Sequence, residues 1–466
     1  VSGFARTDTS AYAARDAALR VWEGTGAAGL YLFAFGAVLS TVVSNIGLFL
    51  MTVAALAQYR QIAPAIRRCP PCWLMIGGAI MTVISAALAA HYLPETAAQQ
   101  WEQAKDWTWL ALVMVVAWWL RRSPVRFYVA AGLFAAGATV RVLMHTPWHD
   151  LGGFLGGGYP PYGFGLWHIS FSSYFVVILL TLALLGPSAW VYAGRFGPRG
   201  RTVIVLAAAA LTLISLEVIF VGKSRGTWAA MALVVLPLLG WYAFRRLPGN
   251  RRALVALAAI AVLLLSFGAT KFDTIAERMS AESEVIEVIV EGGMEDVPLT
   301  NIGVRAHLYR IGLDRWLERP FLGWGPGSGP HLMQADSMFP RAVGNYTPPH
   351  FHNIALELLV RFGLIGVVWI AAIVAPVYAR VYRLHRDGRL PENWYLLLMG
   401  VLLFGLVWGM ADIRIVKWDY RNFFMLYFGL ALALQRAFVH PDFFVQLQSV
   451  DQGLSGETGH KRGQDR

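Results

Sequence analysis

Apolar runs long enough to cross a bilayer recur along this chain, and they decide its fold class. A spanning helix needs about 20 mostly apolar residues, and stretches such as TVIVLAAAALTLISLEVIFV (202–221) meet that requirement. Composition agrees. Hydrophobic residues make up 57% of the chain and charged residues 14%, against roughly 25% charged in soluble domains. Periodicity inside each run carries little information, because lipid and protein interior are both apolar. The chain reads as an all-α polytopic membrane protein.

Hydropathy predicts about twelve spans. The first apolar stretch, 27–57, would be ~45 Å long as one helix, too long for a ~30 Å hydrocarbon core. A break at Ser44-Asn45-Ile46-Gly47 is expected to divide it into two short spans. Later spans are expected to begin near Trp73, Asp106, Val125, His168, Thr202, Gly226, Ala253, Asn353, Asn393 and Arg421. The first residues carry no signal-peptide core, so insertion is expected to use the first span.

Charge orients the bundle. The net charge of +11 could indicate nucleic acid, but basic residues in alternate loops explain it better, so no nucleic-acid partner is expected. One set holds Arg60, Arg67 and Arg68, then Arg121, Arg122 and Arg126, and it continues to Arg380, Arg383, Arg386 and Arg389. The other set is poorer in Lys and Arg. The first set is expected to be cytoplasmic, with both termini inside. Cys69 and Cys72 form a lone C-x-x-C with no second pair at ligand spacing, and read as an ordinary loop.

These spans divide the chain into an N-terminal bundle over 1–270 (about nine spans), an outer loop over 271–349, a C-terminal group over 350–445 (about three spans), and a polar tail over 446–466 expected to be disordered. The outer loop far exceeds ordinary connections and is expected to carry helices. Thr300 or Asn301 can cap one running to about Glu318, with Val304, Leu308 and Ile311 on its apolar face. The acidic stretch 276–296 is ambiguous between helix and strand. HTPWHDLGGFLGGGYPPYGFG (145–165) reads either as a flexible loop or as a lid or carbohydrate-stacking surface. GWGPGSG (323–329) lacks the G-K-[ST] ending of a phosphate loop and reads as a turn-rich hinge.

This topology collects polar residues at one end. Lys223 and Arg225 lie between two spans, Arg305 begins the loop helix, and His350, His352 and Asn353 lead into a later span. Snorkelling accounts for a single cation near a bilayer. Two arginines and a lysine around one spot also suit a diphosphate, which guanidinium binds bidentately. Pro348 and Pro349 favour a helix start just after them. His352 is then expected in the first turn, where a neutral imidazole at the positive end of the helix dipole suits a general base. The rival readings are a histidine that merely caps the helix, and an H-x-H metal site, for which no third ligand is evident. No tight Asp-x-Asp pair is present, which leans towards metal-independent chemistry with no cofactor.

SRGTW (224–228), RAHLYRIGLDRWLERPFLGWGPG (305–327) and HNIALELLVRFGLIG (352–366) together resemble the bacterial O-antigen ligases, within the O-antigen ligase and polymerase superfamily. The resemblance implies a GT-C-like inner-membrane glycosyltransferase with its active site facing the periplasm. The donor would be undecaprenyl-diphosphate-linked O-antigen and the acceptor a sugar hydroxyl of lipid A-core oligosaccharide, among membrane lipids. It places the essential histidine at His352 and the essential arginines at Arg225 and Arg305. Topology adds Lys223 and Arg141 to the diphosphate site, with Asn353, His350 and Tyr309 in support. A polysaccharide polymerase or a protein-directed oligosaccharyltransferase would share these motifs. Glu217 and Glu357, both inside apolar runs, are what a transporter or flippase would show.

Overall fold

The computed structural model describes residues 7–194, 197–246, 269, 271–280, 283–290, 297–336 and 348–449. Every regular element among them is helical. Seven helices are long and apolar enough to cross a membrane: Pro70–Tyr92, Pro124–His145, His168–Val191, Gly197–Val221, Arg225–Arg245, Ile354–Arg386 and Glu392–Gly409. A bent pair, Thr41–Ala57 with Tyr59–Arg67 at 91°, makes an eighth if counted as one span. The chain is thus a multi-pass helical protein. The other expected spans fall on helices that are shorter or more polar, and the one near Ala253 lies outside the described residues.

The N-terminal part comprises α1 (Thr7–Gly36), α2 (Thr41–Ala57), α3 (Tyr59–Arg67), α4 (Pro70–Tyr92), α5 (Ala97–Thr108), α6 (Val113–Leu120) and α7 (Pro124–His145). The first apolar stretch does break, but not at 44–47. α1 stops at Gly36, and Ser40 caps α2 by accepting from Val43 N at 3.4 Å. Gly47 lies inside α2, where a Cβ would meet the Phe33 backbone N at 2.3 Å. Its smallness lets two helices approach closely, as small residues do in membranes. Cys69 caps α4 and Cys72 sits in its first turn, with the two free thiols 2.8 Å apart.

After α8 (Leu151–Leu155) come α9 (His168–Ala193), α10 (Gly197–Val221), and α11 (Arg225–Ala230), which runs through one π-helical turn into α12 (Leu236–Arg246). Tyr159, Tyr162 and Phe164 pack around Phe154 at ring separations of 5.4–5.9 Å, so the 145–165 segment has its own aromatic core. The acidic stretch is helical where it is described, in α13 (Phe272–Ser280) and α14 (Ser283–Val290). α15 (Asn301–Glu318) begins where expected, with Thr300 accepting from Gly303 N at 3.3 Å. Leu308 and Ile311 are buried and Val304 packs beside them. α16 (Gly329–Gln334), α17 (Ile354–Arg386), α18 (Glu392–Gly409) and α19 (Trp418–Ala433) complete the order. After a turn, a separate helical segment over 441–449 runs through the first tail residues; the rest of the expected disordered tail lies outside the described residues.

One break positions the site. Within α17, Gly363 has φ 64° and ψ −167°, a conformation that interrupts the helical ladder. At membrane depth, interrupted backbone needs partners from protein. The loop after α15 supplies them. Trp324 N and Gly325 N donate to the carbonyls of Val360 (2.8 Å) and Arg361 (2.9 Å), while Leu364 N and Ile365 N donate to Pro320 O (2.8 Å) and Phe321 O (3.2 Å). GWGPG is therefore neither a phosphate loop nor a free hinge: it is the backbone plug that satisfies a broken helix.

Candidate functional site

A cavity of about 620 Å³ opens where α9, α11, α15 and the turn before α17 converge. Arg225, Arg305, Lys223 and His352 all line it, with Trp167 and His168 on one wall. Each cation reaches the cavity through a local rule. Ser224 caps α11 by accepting from Thr227 N, so Arg225 is the first helical residue. Arg305 is in the second turn of the Thr300-capped α15.

Lys223 takes φ 44° and its Nζ donates to Gly157 O and Tyr159 O, both at 2.7 Å. It lines the cavity while clamping the aromatic loop. That loop is pinned further by Tyr162, whose hydroxyl donates to His145 O at 2.6 Å. Arg141 does not join the cavity. Its guanidinium donates to Phe164 O and Gly165 O at 2.9 Å, Leu39 O at 3.0 Å and Val38 O at 3.2 Å. Those four carbonyls take up four of its five N–H groups, so the expected diphosphate contact at Arg141 is corrected to a structural tie between loops.

His352 also departs from expectation. The helix starts at Ile354, and Asn353 is its cap, with Oδ1 accepting from Ala355 N (3.0 Å) and Leu356 N (3.1 Å). His352 therefore precedes the helix, at φ 54°. Asn353 already satisfies the first N–H groups of α17, so the helix dipole is not what equips this histidine.

A carboxylate equips it instead. Asp412, fully buried in the turn between α18 and α19, places Oδ1 3.4 Å from His352 Nδ1 and 3.5 Å from His350 Nε2. Both separations are long for hydrogen bonds, and neither is an ion pair while the ring is neutral. Burial alone would raise the Asp412 carboxyl. Contacts with His352, with His350 and with the Ile413 N–H outweigh it and hold the group below the usual carboxylate range. Burial pulls His350 down to about 4, so its ring is neutral at pH 7. His350 Nδ1 accepts from His352 N at 3.3 Å, which puts the His350 proton on Nε2, towards Asp412.

The supporting residues all hold this turn. The Tyr309 hydroxyl sits between His352 O (3.1 Å) and Met410 O (2.9 Å), and Asn353 Nδ2 donates to Met410 O at 3.4 Å. Glu357 was read as a transporter-like intramembrane acid. Its Oε2 accepts from Phe351 N at 2.8 Å, and its Oε1 pairs with the buried Arg361. Glu217 likewise pairs with Lys271 at 3.3 Å. Neither glutamate is left unpaired.

Asp412 is also the third ligand that the H-x-H reading lacked. Donor atoms of His350, His352 and Asp412 lie within 4.8 Å of one another, a set whose chemistry could hold a divalent metal. Sequence reasoning missed Asp412. Its one local signal is an acid in a short turn between two apolar helices, at the end of the bundle that carries His352.

Residues 210–371 match the sequence profile of the O-antigen ligase family. That segment carries Arg225, Arg305 and His352, but neither Arg141 nor Asp412. Over 183 residues the chain is 28% identical to the exopolysaccharide production protein ExoQ of Rhizobium meliloti (strain 1021), covering 38% of this chain and 40% of that protein. The match thus spans well under half of the curated relative. Superfamily members are glycosyltransferase-like enzymes acting on polysaccharide or lipid-linked sugar. The resemblance read from SRGTW, the Arg305 segment and the His352 segment is borne out over that part of the chain: the matching family model and the curated relative both lie within the O-antigen ligase and polymerase superfamily.

Proposed function

We propose that this protein is an O-antigen ligase of the inner membrane, moving a glycan from undecaprenyl diphosphate to a sugar hydroxyl of lipid A-core oligosaccharide at the periplasmic face. The observation that carries the reading is one cavity lined by Arg225, Arg305 and His352, with Asp412 behind the histidine. Asp412 faces Nδ1, which leaves Nε2, across the ring, for substrate. Nε2 takes the proton of the acceptor hydroxyl as its oxygen bonds to the anomeric carbon. Asp412 orients the ring and stabilises the imidazolium that forms. The bond from the anomeric carbon to phosphate breaks, and undecaprenyl diphosphate leaves with the electron pair. Arg225 and Arg305 meet the charge growing on it, so they favour the transition state over the ground state. A single displacement of this kind inverts the anomeric centre and calls for one base and no covalent intermediate.

A second reading has a specific observation behind it. The curated relative is an exopolysaccharide production protein, which favours a polymerase whose acceptor is another lipid-linked glycan. The transporter reading loses ground, because both glutamates that motivated it are paired with cations. Reconstituted protein given lipid-linked donor alone, and donor with lipid A-core, separates the two enzymes. Glycan-bearing lipid A supports the ligase. Lengthened lipid-linked chains, with lipid A-core left unmodified, would replace it with the polymerase.

A further inference from the structure

A second cleft, of about 320 Å³, lies between α4 and the plug loop, at the opposite end of α15 from the His352 cavity. Tyr92, Arg319, Phe321, Trp324, Leu88 and Ile365 line it. A smaller apolar cavity of about 130 Å³ shares Met81 and Phe362 with it and continues between α4 and α17. The two cavities are thus neighbours with two lining residues in common, and Arg319 is the cation among the residues lining the first.

That cation is unusually placed. The Arg319 guanidinium carbon stands 4.3 Å from the Trp324 ring centre and 4.7 Å from that of Tyr92. Stacking engages the planar faces of a guanidinium and leaves the N–H groups on its edge available. Among the described residues, the Arg319 side chain makes no hydrogen bond and no ion pair. The adjacent acid, Glu318, is taken by Arg315 at 2.8 Å. Phe321 and Leu322 beside it are 64% and 63% exposed, as side chains meeting lipid would be.

We propose that this cleft seats the lipid anchor of the acceptor, with an acidic phosphate of its headgroup on the Arg319 edge and its acyl chains along α4. The proposal rests on the ligase reading above. Spacing assigns the cleft to acceptor rather than donor. Arg305 lies in the second turn of α15 and Arg319 caps its C-terminal end, fourteen residues on, a rise of about 21 Å. A donor carries its diphosphate on the reacting sugar, so its phosphates belong at Arg225 and Arg305. An acceptor whose reactive hydroxyl stands several sugars from its lipid needs its phosphate held at such a distance.

The test is binding to the full chain in detergent, read by native mass spectrometry. The probes are diphosphorylated lipid A, the same lipid dephosphorylated, and phosphatidylglycerol. Wild type should hold the phosphorylated form about tenfold more tightly than the dephosphorylated one, the worth of a charge-assisted hydrogen bond. Arg319→Gln should abolish that preference, and Arg305→Gln should keep it. Phe321→Asp, at an exposed position outside the stack, should weaken the phosphorylated form by electrostatic repulsion alone. Unchanged lipid A binding in Arg319→Gln and Phe321→Asp overturns the proposal. So does phosphatidylglycerol that competes as well as lipid A, which would make the cleft a seat for ordinary membrane lipid. The readout involves no turnover, so absent transfer activity counts against the ligase reading and does not imitate either result.

Discussion

Asp412 Oδ1 lies 3.4 Å from His352 Nδ1, and the carboxylate is fully buried while the imidazole lines a cavity. This pairing joins residues sixty positions apart. In the proposed mechanism it takes the place of the helix dipole in preparing His352 for proton transfer. Asp412→Asn keeps the shape of the contact and removes its charge. Its kcat for glycan transfer should fall about 10²-fold or more, the scale of a general-base contribution, with both KM values near wild type. A variant with normal kcat would leave Asp412 a purely structural residue.

Arg225 and Arg305 reach one cavity from separate helices. If both meet the diphosphate, either Arg→Ala change should lower kcat/KM for the donor about 10²-fold, with the acceptor KM little changed. Lysine at either position should recover only part of this, since it lacks the planar fork. Steady-state kinetics with donor and acceptor varied separately decide the point; a loss confined to the acceptor KM would move the diphosphate elsewhere.

His350 is buried and held down to about 4. Between pH 6.5 and 4 the unfolded chain binds its proton and the folded one does not. This stability is therefore complete above about pH 6.5 and is lost as pH falls towards 4, by up to about 3 kcal/mol. Thermal unfolding in detergent should show the decline in wild type and a flatter profile in His350→Gln over the same window. Parallel profiles would contradict it.

Gly363 carries the break in α17, and a Cβ there would meet the Phe321 backbone at 2.2 Å. Gly363→Ala should destabilise the protein by at least about 1–3 kcal/mol from backbone strain alone. It should also loosen the plug loop, which hydrogen exchange at Trp324 and Gly325 would register. An unchanged melting temperature with unchanged protection would show that the break tolerates a side chain.

What the sequence revealed and what it hid divide along physical lines. α15 was legible because its cap and its apolar spacing are both local, Thr300 with Leu308 and Ile311. The first helix break was misplaced because Gly47 looks like a breaker, while its actual task is to admit Phe33 at close range. The start of α17 near Asn353 was legible, but His352 was placed in its first turn because Pro348-Pro349 imitates a helix entry that Asn353 performs. Arg141 was read as a ligand because nothing local announces four backbone carbonyls arriving from two other segments. Asp412 was invisible for the same reason: its partner is fixed by tertiary packing alone. Arg225, Arg305 and His352 were recognisable together only as a set of three motifs, since each alone reads as an ordinary interfacial residue.

The most direct measurement is glycan transfer by purified protein in the presence of chelator, for wild type and His352→Ala, with donor binding measured in parallel. The account predicts that wild type transfers, that His352→Ala binds donor normally, and that its transfer falls about 10²-fold or more. Transfer by His352→Ala close to wild type would contradict the base assignment. Wild-type transfer that stops with chelator and returns with a divalent cation would instead make His350, His352 and Asp412 the ligands of a metal.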